Sequence, residues 1–539
     1  MRIFKFFVPV LTILLFTLFL FANCTGTIKN ENEPEGNLSI GWSSVDITPD
    51  SPILIWGQRN ARVSEGVLDP VTATVLAIES GEGISSKKAI LISCDLVAIL
   101  DGVREPDMYF TPGTENNLLN NVRKIVKETV PDINPEQIIM NGTHTHTGPF
   151  YGSDESSERI YGIELDIMSP SDVQHFISEK IASAIKKAWD NRKPGGISYG
   201  LGHAVVGRNR LLVSRSGKGI MYGNTNSPEF SHIEGYEDHS VNLLYTWDKS
   251  ANLTGVVVNL ACPAQVTEGL YKISADFWHE TRVELRNRLG KNIFILPQCS
   301  AAGDQSPHIM TGLKAETRMQ QIMFPDCEET GDRGMGLRKQ IAVRIADAVT
   351  SVLPYMKDNI EWDPVIAHNS EKVHLTRRQI PLEDVERAIK ESESHIKKYE
   401  QLLADIKKDP SIKNKPRWYV DVSLAFSQTY RGYSVKERYE LQKVQPKLPV
   451  EIHVVRIGDV VFATNPFELY LDFGSRIKAR SPAVQTFLVQ LTGSGTYVPP
   501  YRSVAGGSYG AEPASTLVGP EGGQELVEKT VEMIDKIMN

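Results

Sequence analysis

Leu38-Ser-Ile-Gly-Trp-Ser-Ser-Val-Asp-Ile-Thr-Pro49 opens the patterned part of the chain as a strand-like run that Thr-Pro ends. Val71 to Glu79 and Lys88 to Cys94 are β-branched apolar runs, and the second leads directly into Asp95. From Asn116 to Val130 the period changes. Leu118, Leu119, Val122, Ile125 and Val126 fall three and four apart, the spacing of one helix face. Glu136 to Met140 then returns to the pattern of a buried strand. Strand, strand, helix, strand predicts an α/β layer architecture.

The same reading continues to the C-terminus. Ser171 to Trp189 predicts a helix through Ile177, Ile181 and Ile185, and Ile197 to Val206 a strand leading to Gly207-Arg-Asn-Arg210. Leu253 to Pro263 is a buried strand that breaks at its proline, with Cys262 at the tip. Asp276 is placed to cap a helix running to Leu289, whose first turn carries His279, read as structural. Ile293 to Pro297 is a strand, and Asp332 to Met356 a long amphipathic helix. Leu382 to Lys408 repeats the helical pattern with many charges on its outer face, so residues 371–449 read as a helical insertion. Val450 to Val455, Asp459 to Thr464 and Gln485 to Leu491 are strands, and Gln524 to Met538 a last helix. Asn465-Pro-Phe-Glu-Leu-Tyr470 has a proline at its start and Glu468 in its first turn, which predicts a helix beginning there. The α/β body is thus expected over 38–370 and 450–539.

Composition narrows the function classes. The chain has 539 residues, 41% hydrophobic and 23% charged, the balance of a globular protein with room for a large core. A formal net charge of −8, with no basic cluster interleaved with aromatics, excludes a nucleic-acid binder. Met1-Arg-Ile-Phe-Lys5, the apolar run Phe6 to Ala22, Cys24 and a polar stretch to Asn37 resemble a bacterial lipoprotein signal. Residues 1–23 are therefore expected to be a signal peptide, Cys24 a lipidation site and 24–37 a tether. That places the folded part outside the cytoplasm, in the cell envelope, with a lipid anchor in the membrane. The alternative is an uncleaved membrane anchor. Cys94, Cys262, Cys299 and Cys327 are too widely spaced for a disulfide scaffold or a zinc finger.

The chemistry centres on Asn141-Gly-Thr-His-Thr-His-Thr-Gly-Pro149, directly after a strand. Residues two apart in a strand share a face, so His144 and His146 would project together. Such a pair serves as a metal site, as an acid–base couple, or as structural histidines bonded to backbone. Asp95, just past another strand, is a partner for such a histidine or a cap for the next turn. Gly303-Asp-Gln-Ser-Pro307 is on its own merely a turn.

Taken together, Thr-His-Thr-His and the later Gly-Asp-x-Ser-Pro resemble the signatures of the neutral ceramidase family, zinc-dependent amidases that split the N-acyl bond of ceramide. The resemblance runs in order from Leu38 to about Gly522 and implies that the α/β body is built on a mixed sheet. It implies a zinc ion held by His144, Glu468 and Tyr497, and by the residue before Pro263, where the family has histidine and this chain has Cys262. Thiolate is also a good zinc ligand, though a buried cysteine often merely fills a core. The resemblance further implies that Ser306 faces the zinc as nucleophile or as an orienting hydroxyl, that Arg210 holds a substrate carbonyl or carboxylate, and that Tyr509 lies near the substrate. His146 would move the proton to the leaving group. The immunoglobulin-like domain that closes ceramidases is expected to be absent, since few residues follow Tyr497.

Three functions follow. The first is a zinc-dependent hydrolase of an N-acyl lipid or related amide. The second is an exported carbohydrate-active enzyme, a lyase or hydrolase, using His, Tyr and Arg on the same scaffold. The third is a surface binding protein that keeps an old pocket.

Overall fold

The computed structural model describes residues 36–539 apart from 82, 103–115, 153–155, 328–330 and 332. The leader, Cys24 and nearly all of the tether lie outside the described residues. No described helix is long and apolar enough to cross a membrane.

Eight strands make the main sheet: β1 (Leu38–Asp46), β2 (Thr72–Ser80), β3 (Lys87–Cys94), β4 (Ile138–Gly142), β5 (Lys193–His203), β6 (Ser240–Asp248), β7 (Leu253–Leu260) and β8 (Phe294–Cys299). Their spatial order is β8-β7-β6-β5-β1-β2-β3-β4. The two outermost pairs, β7–β8 and β3–β4, are parallel, and the inner pairs are antiparallel. A second sheet holds β9 (Ile366–Thr376), β10 (Lys447–Ile457), β11 (Val460–Thr464) and β12 (Gln485–Val489) in that order. The helices used below are α1 (Leu118–Thr129), α2 (Pro170–Asp190), α3 (Phe277–Leu289), α4 (Met335–Lys357), α5 (Leu382–Lys408), α6 (Val420–Val444), α7 (Leu471–Arg480) and α8 (Pro520–Met538).

Side-chain alternation along the strands builds four layers. On β2, Leu76 and Ile78 pack with Val455, Phe462 and Phe487 of the second sheet, while Val75 and Ala77 face α1 and α2. Val454 and Val455 on β10 divide in the same way, one toward α7 and α8, the other toward the main sheet. The two sheets therefore bury one apolar face against each other, and helices cover both outer faces. Between the sheets Phe462 stacks on Phe487 with centroids 4.4 Å apart, a pair that contributes about 0.5–1.5 kcal/mol beyond its buried area. The expected mixed α/β body is present, and the second sheet turns it into a sandwich of two sheets between helices.

Two expectations need correcting. The helical insertion is narrower than residues 371–449, because β9 runs on to Thr376 and β10 begins at Lys447, paired over their whole length. What is inserted is a hairpin of α5 and α6, which meet where Gly432 approaches the Ala388 carbonyl and the Ser392 hydroxyl. The segment 465–470 does not begin a helix. Glu468–Leu469 is a two-residue strand paired in parallel with Tyr497–Val498, and α7 begins only at Leu471. Backbone bonding outweighs the helix-start signal there: the Glu468 N–H donates to the Thr496 carbonyl and the Leu469 N–H to Gln490 Oε1.

Candidate functional site

β4 stops at Gly142, so the two histidines converge for a reason other than strand alternation. His144 has φ +62°, a left-handed conformation that is uncommon for a residue with a side chain. Its N–H is tied to the Leu96 carbonyl at 3.0 Å, and the preceding Thr143 to Asp95 at 3.3 Å. The ring centroids of His144 and His146 lie 4.8 Å apart. Gly57 permits this packing: a Cβ there would sit 2.5 Å from His146 Cγ, and its φ of +116° suits glycine.

Asp95 is fully buried and takes two hydrogen bonds from Arg282, at 2.8 and 3.0 Å. It thus braces the histidine loop from beneath and does not touch either imidazole. Arg62, also buried, donates to the backbone carbonyls of Trp56, His146, Glu268 and Leu270. Burial pushes its guanidinium down to about 10.

Hydrogen-bond partners fix both tautomers. His144 Nδ1 lies 2.7 Å from the Val97 carbonyl, which only accepts, so Nδ1 carries a hydrogen and, in the neutral ring, Nε2 is the lone pair. Arg210 only donates, so it orients the Gln265 amide with Oε1 toward itself at 3.3 Å. Gln265 Nε2 then donates to His146 Nε2 at 2.8 Å, which leaves the His146 hydrogen on Nδ1, 3.5 Å from Glu268 Oε2. Burial holds the His146 imidazolium down to about 4, so the ring is neutral at pH 7. His144 Nε2 consequently faces His146 Nε2 at 3.2 Å and Glu468 Oε2 at 3.3 Å. When the His144 ring is neutral, its Nε2 and Glu468 Oε2 face each other as two acceptors, and a proton or a cation between them relieves the clash. Burial alone would raise the Glu468 carboxyl, but neighbouring His144 and Arg210 hold it well below the usual range.

Glu468 and Tyr497 are partners across their parallel bridge, and the Tyr497 hydroxyl bonds the carboxylate. Arg210 braces the pair: its Nη2 donates to Tyr497 Oη at 3.2 Å and to the Gly303 carbonyl at 2.8 Å, and Nη1 donates to Tyr222 Oη at 2.8 Å. The Gly-Asp-x-Ser-Pro segment serves as a joint. A Cβ on Gly303 would lie 2.3 Å from the Glu468 carbonyl, and Asp304 accepts from the Leu471 N–H and from Asn209 Nδ2. Burial pushes the Asp304 carboxyl up to about 6.

A cavity of about 200 Å³ opens onto His144, His146, Glu468, Tyr497 and Tyr509, so the structure brings these five together. Arg210 stands behind Tyr497. Two expected residues lie elsewhere. Ser306 is fully buried, and its hydroxyl meets Tyr222 Oη at 3.4 Å and the His308 N–H at 3.1 Å, with neither His144 nor His146 among its partners. Cys262 lies beyond the end of β7 in the apolar cluster with Val206, Val266 and Phe277, its thiol donating to the Pro263 carbonyl at 3.4 Å. Burial pushes that thiol well above its ordinary range. The chain bends after Pro263, and Gln265 instead of Cys262 reaches the histidines. His279 stays outside the site, and Asp276 caps α3 as expected while its carboxylate also holds the Val266 and Thr267 N–H groups.

Sequence reasoning missed Gln265, Glu268, Tyr222 and Arg62, which orient the histidines and Arg210. The signal within reach was Gln265-x-x-Glu268, a polar pair directly behind the Cys-Pro tip of a buried strand. Cys94, Cys262, Cys299 and Cys327 are all free.

The sequence matches no protein-family model and no curated protein. Two solved structures share its architecture. One, described as neutral ceramidase from Pseudomonas aeruginosa, aligns over 93% of this chain and 75% of its own, with TM-score 0.61 and 15% identity. The other, described as ceramidase complexed with C2, covers the same shares with TM-score 0.62 and 15% identity. This chain has the fold of the bacterial neutral ceramidase structures.

Proposed function

We propose that this protein is a metal-dependent hydrolase of an amide bond, with zinc as its ion. The observation that carries the reading is the cluster of His144 Nε2, the Glu468 carboxylate and the Tyr497 phenol, whose proton is held in place by burial and Glu468 and would be displaced only by a bound cation. With His144 neutral, its Nε2 lone pair and the Glu468 carboxylate at 3.3 Å repel unless a cation lies between them. Among the described residues no three or more His, Cys, Asp or Glu side chains form a ready metal cluster, so the phenol is needed as the third donor. Three protein donors with an open position are the ligand set of a catalytic zinc. The cation supplies a Lewis acid that polarises a carbonyl and makes a water acidic near neutral pH.

The chain's own groups do the rest. Arg210 fixes Tyr497 and Glu468 from behind, and Val97 fixes the His144 tautomer, the kind of outer support that orients metal ligands. His146 enters as a neutral base once the Gln265 amide N–H gives up its Nε2 lone pair, and its Nδ1–H toward Glu268 stabilises the imidazolium that forms when Nε2 takes a proton. Ser306 acts through Tyr222, which it helps hold against Arg210, and Cys262 is a core residue in this reading. The likeness to the ceramidase structures favours an N-acyl sphingolipid or similar amide as substrate class. We also place the enzyme in the cell envelope on a lipid at Cys24, which radiolabelled palmitate and a Cys24→Ala variant test.

Metal analysis of protein purified without chelator tests the centre. About one zinc per chain is expected, retained in Cys262→Ala and lost in Glu468→Gln and in His144→Ala. Protein that takes up no zinc even when it is supplied would end the proposal.

A further inference from the structure

We propose that the substrate carries a carboxylate, bound at the cavity mouth by Arg59 together with the Tyr509 hydroxyl. The inference rests on the cavity being the reaction site and adds to that reading the charge of the molecule it accepts.

The lining is unlike that of a pocket for a neutral lipid. Arg59, Arg431 and Arg438 open onto it, against Glu468 as its one carboxylate among the described residues. Two of these guanidinium groups already have protein partners. Arg431 is paired with Glu512 and donates to Ser515 Oγ at 2.9 Å, and Arg438 donates to the Pro513 carbonyl at 3.0 Å. Arg59 differs. It donates one hydrogen bond, to Tyr509 Oη at 2.6 Å, and lies with its Cζ 4.9 Å from that ring's centroid. Among the described residues no carboxylate pairs with it. Arg431 also approaches this ring, with its Cζ 5.0 Å from the centroid.

The hydrogen bond to Tyr509 Oη anchors one nitrogen of Arg59, and among the described residues no carboxylate takes the rest of its donor fork. A planar fork held this way binds a carboxylate through two parallel N–H bonds, better than the flexible ammonium of lysine. The site also has a fixed relation to the chemistry. Tyr509 meets Tyr497 edge to face with centroids 6.1 Å apart, so Arg59 lies one aromatic ring out from the phenol beside Glu468. A substrate with its reacting group at Glu468 and Tyr497 therefore presents a carboxylate to Arg59 only if the two are a few atoms apart. An N-acyl amino acid and a uronic-acid glycan both have that layout. Ceramide has no charge to place there.

Calorimetric titration of the full-length protein distinguishes these sources without requiring turnover. One arm compares N-dodecanoylglycine with N-dodecanoylethanolamine, which differ in carboxylate against hydroxymethyl. The other compares trigalacturonate with maltotriose. The acid of at least one arm is expected to bind ten- to a hundredfold tighter than its neutral counterpart, the scale of a charge-assisted hydrogen-bond pair. Arg59→Gln should remove that preference and Arg59→Lys keep part of it, while the neutral ligand's affinity stays put in both variants. The arm that responds names the source. Acids that bind no tighter than their neutral partners, or a preference that survives in Arg59→Gln, would overturn the proposal. Incubating the same amides with zinc-loaded protein reads the reaction separately. A carboxylate preference with no amide cleaved leaves this site standing and removes the hydrolase reading.

Discussion

Replacing Arg282 by methionine strands the Asp95 carboxylate under the histidine loop, and the cost can be worked from its contacts. Asp95 accepts five hydrogen bonds, from Thr72 N, Thr72 Oγ1, Thr143 Oγ1 and the two Arg282 nitrogens, and its side chain is fully buried. The substitution removes both charge-assisted bonds and leaves the three neutral ones. Bonds to charged groups contribute about 1.5–3 kcal/mol each, so about 3–6 kcal/mol is lost. Breaking a buried ion pair by removing one partner costs about 3–5 kcal/mol, in agreement. A stranded carboxylate escapes part of this by taking a proton. At pH 7 that step costs an ordinary aspartate about 4 kcal/mol, which caps the penalty, and the cap drops by about 1.4 kcal/mol for each pH unit of acidification. The destabilisation of Arg282→Met is therefore expected to be about 3–4 kcal/mol at pH 7 and about 1–2 kcal/mol at pH 5. Urea unfolding followed by tryptophan fluorescence at both pH values measures it. Asp95→Asn in the Arg282→Met background should recover more than half of the pH 7 loss, because no charge then remains buried. A loss below about 1 kcal/mol at pH 7, or one independent of pH, would refute the assignment of Asp95 and Arg282 as the brace of this loop.

Other outcomes follow from the same contacts. Gly57→Ala puts a methyl group 2.5 Å from His146 Cγ at a positive φ, and a loss of about 1–3 kcal/mol with weakened zinc retention is expected from urea unfolding and metal analysis. Gln265→Leu removes the amide that sets the His146 tautomer and an acceptor for Arg210; zinc affinity, read by competition with a chelator, should fall about 10–100-fold. Burial would raise the Glu451 carboxyl, but His453 and Arg123 hold it down to about 2. A depressed carboxylate stabilises the fold above its unfolded pKa near 4.5 and loses that contribution as pH falls toward 2. Acid unfolding of Glu451→Gln should therefore show a flatter stability profile between pH 4.5 and 2 than the parent.

The fold was legible where one face of an element is buried and the other is not. β2, α1 and α2 show their periods in the sequence because each divides its residues between a covered face and another surface. α6 went unread because its inner face lines the cavity with Ser427, Tyr430, Arg431, Ser434 and Arg438, so the polar residues that usually mark solvent lie inside. Glu468 was found through its motif but assigned to a helix, since two residues of strand are too short to show a period and are held by Thr496 and Gln490, far along the chain. His144, His146, Glu468 and Tyr497 could be named because each is a residue type with chemistry of its own. Gln265 could not: a neutral amide becomes informative only once Arg210 on one side and His146 on the other decide which end donates. That dependence runs through the whole site. Cys262 carries the more reactive side chain, yet one bend after Pro263 buries it among Val206, Val266 and Phe277 and turns its unremarked neighbour toward the histidines. Reactive residue types in the sequence thus located the ring of acceptors, and the partners that fix their protons came only from tertiary contacts.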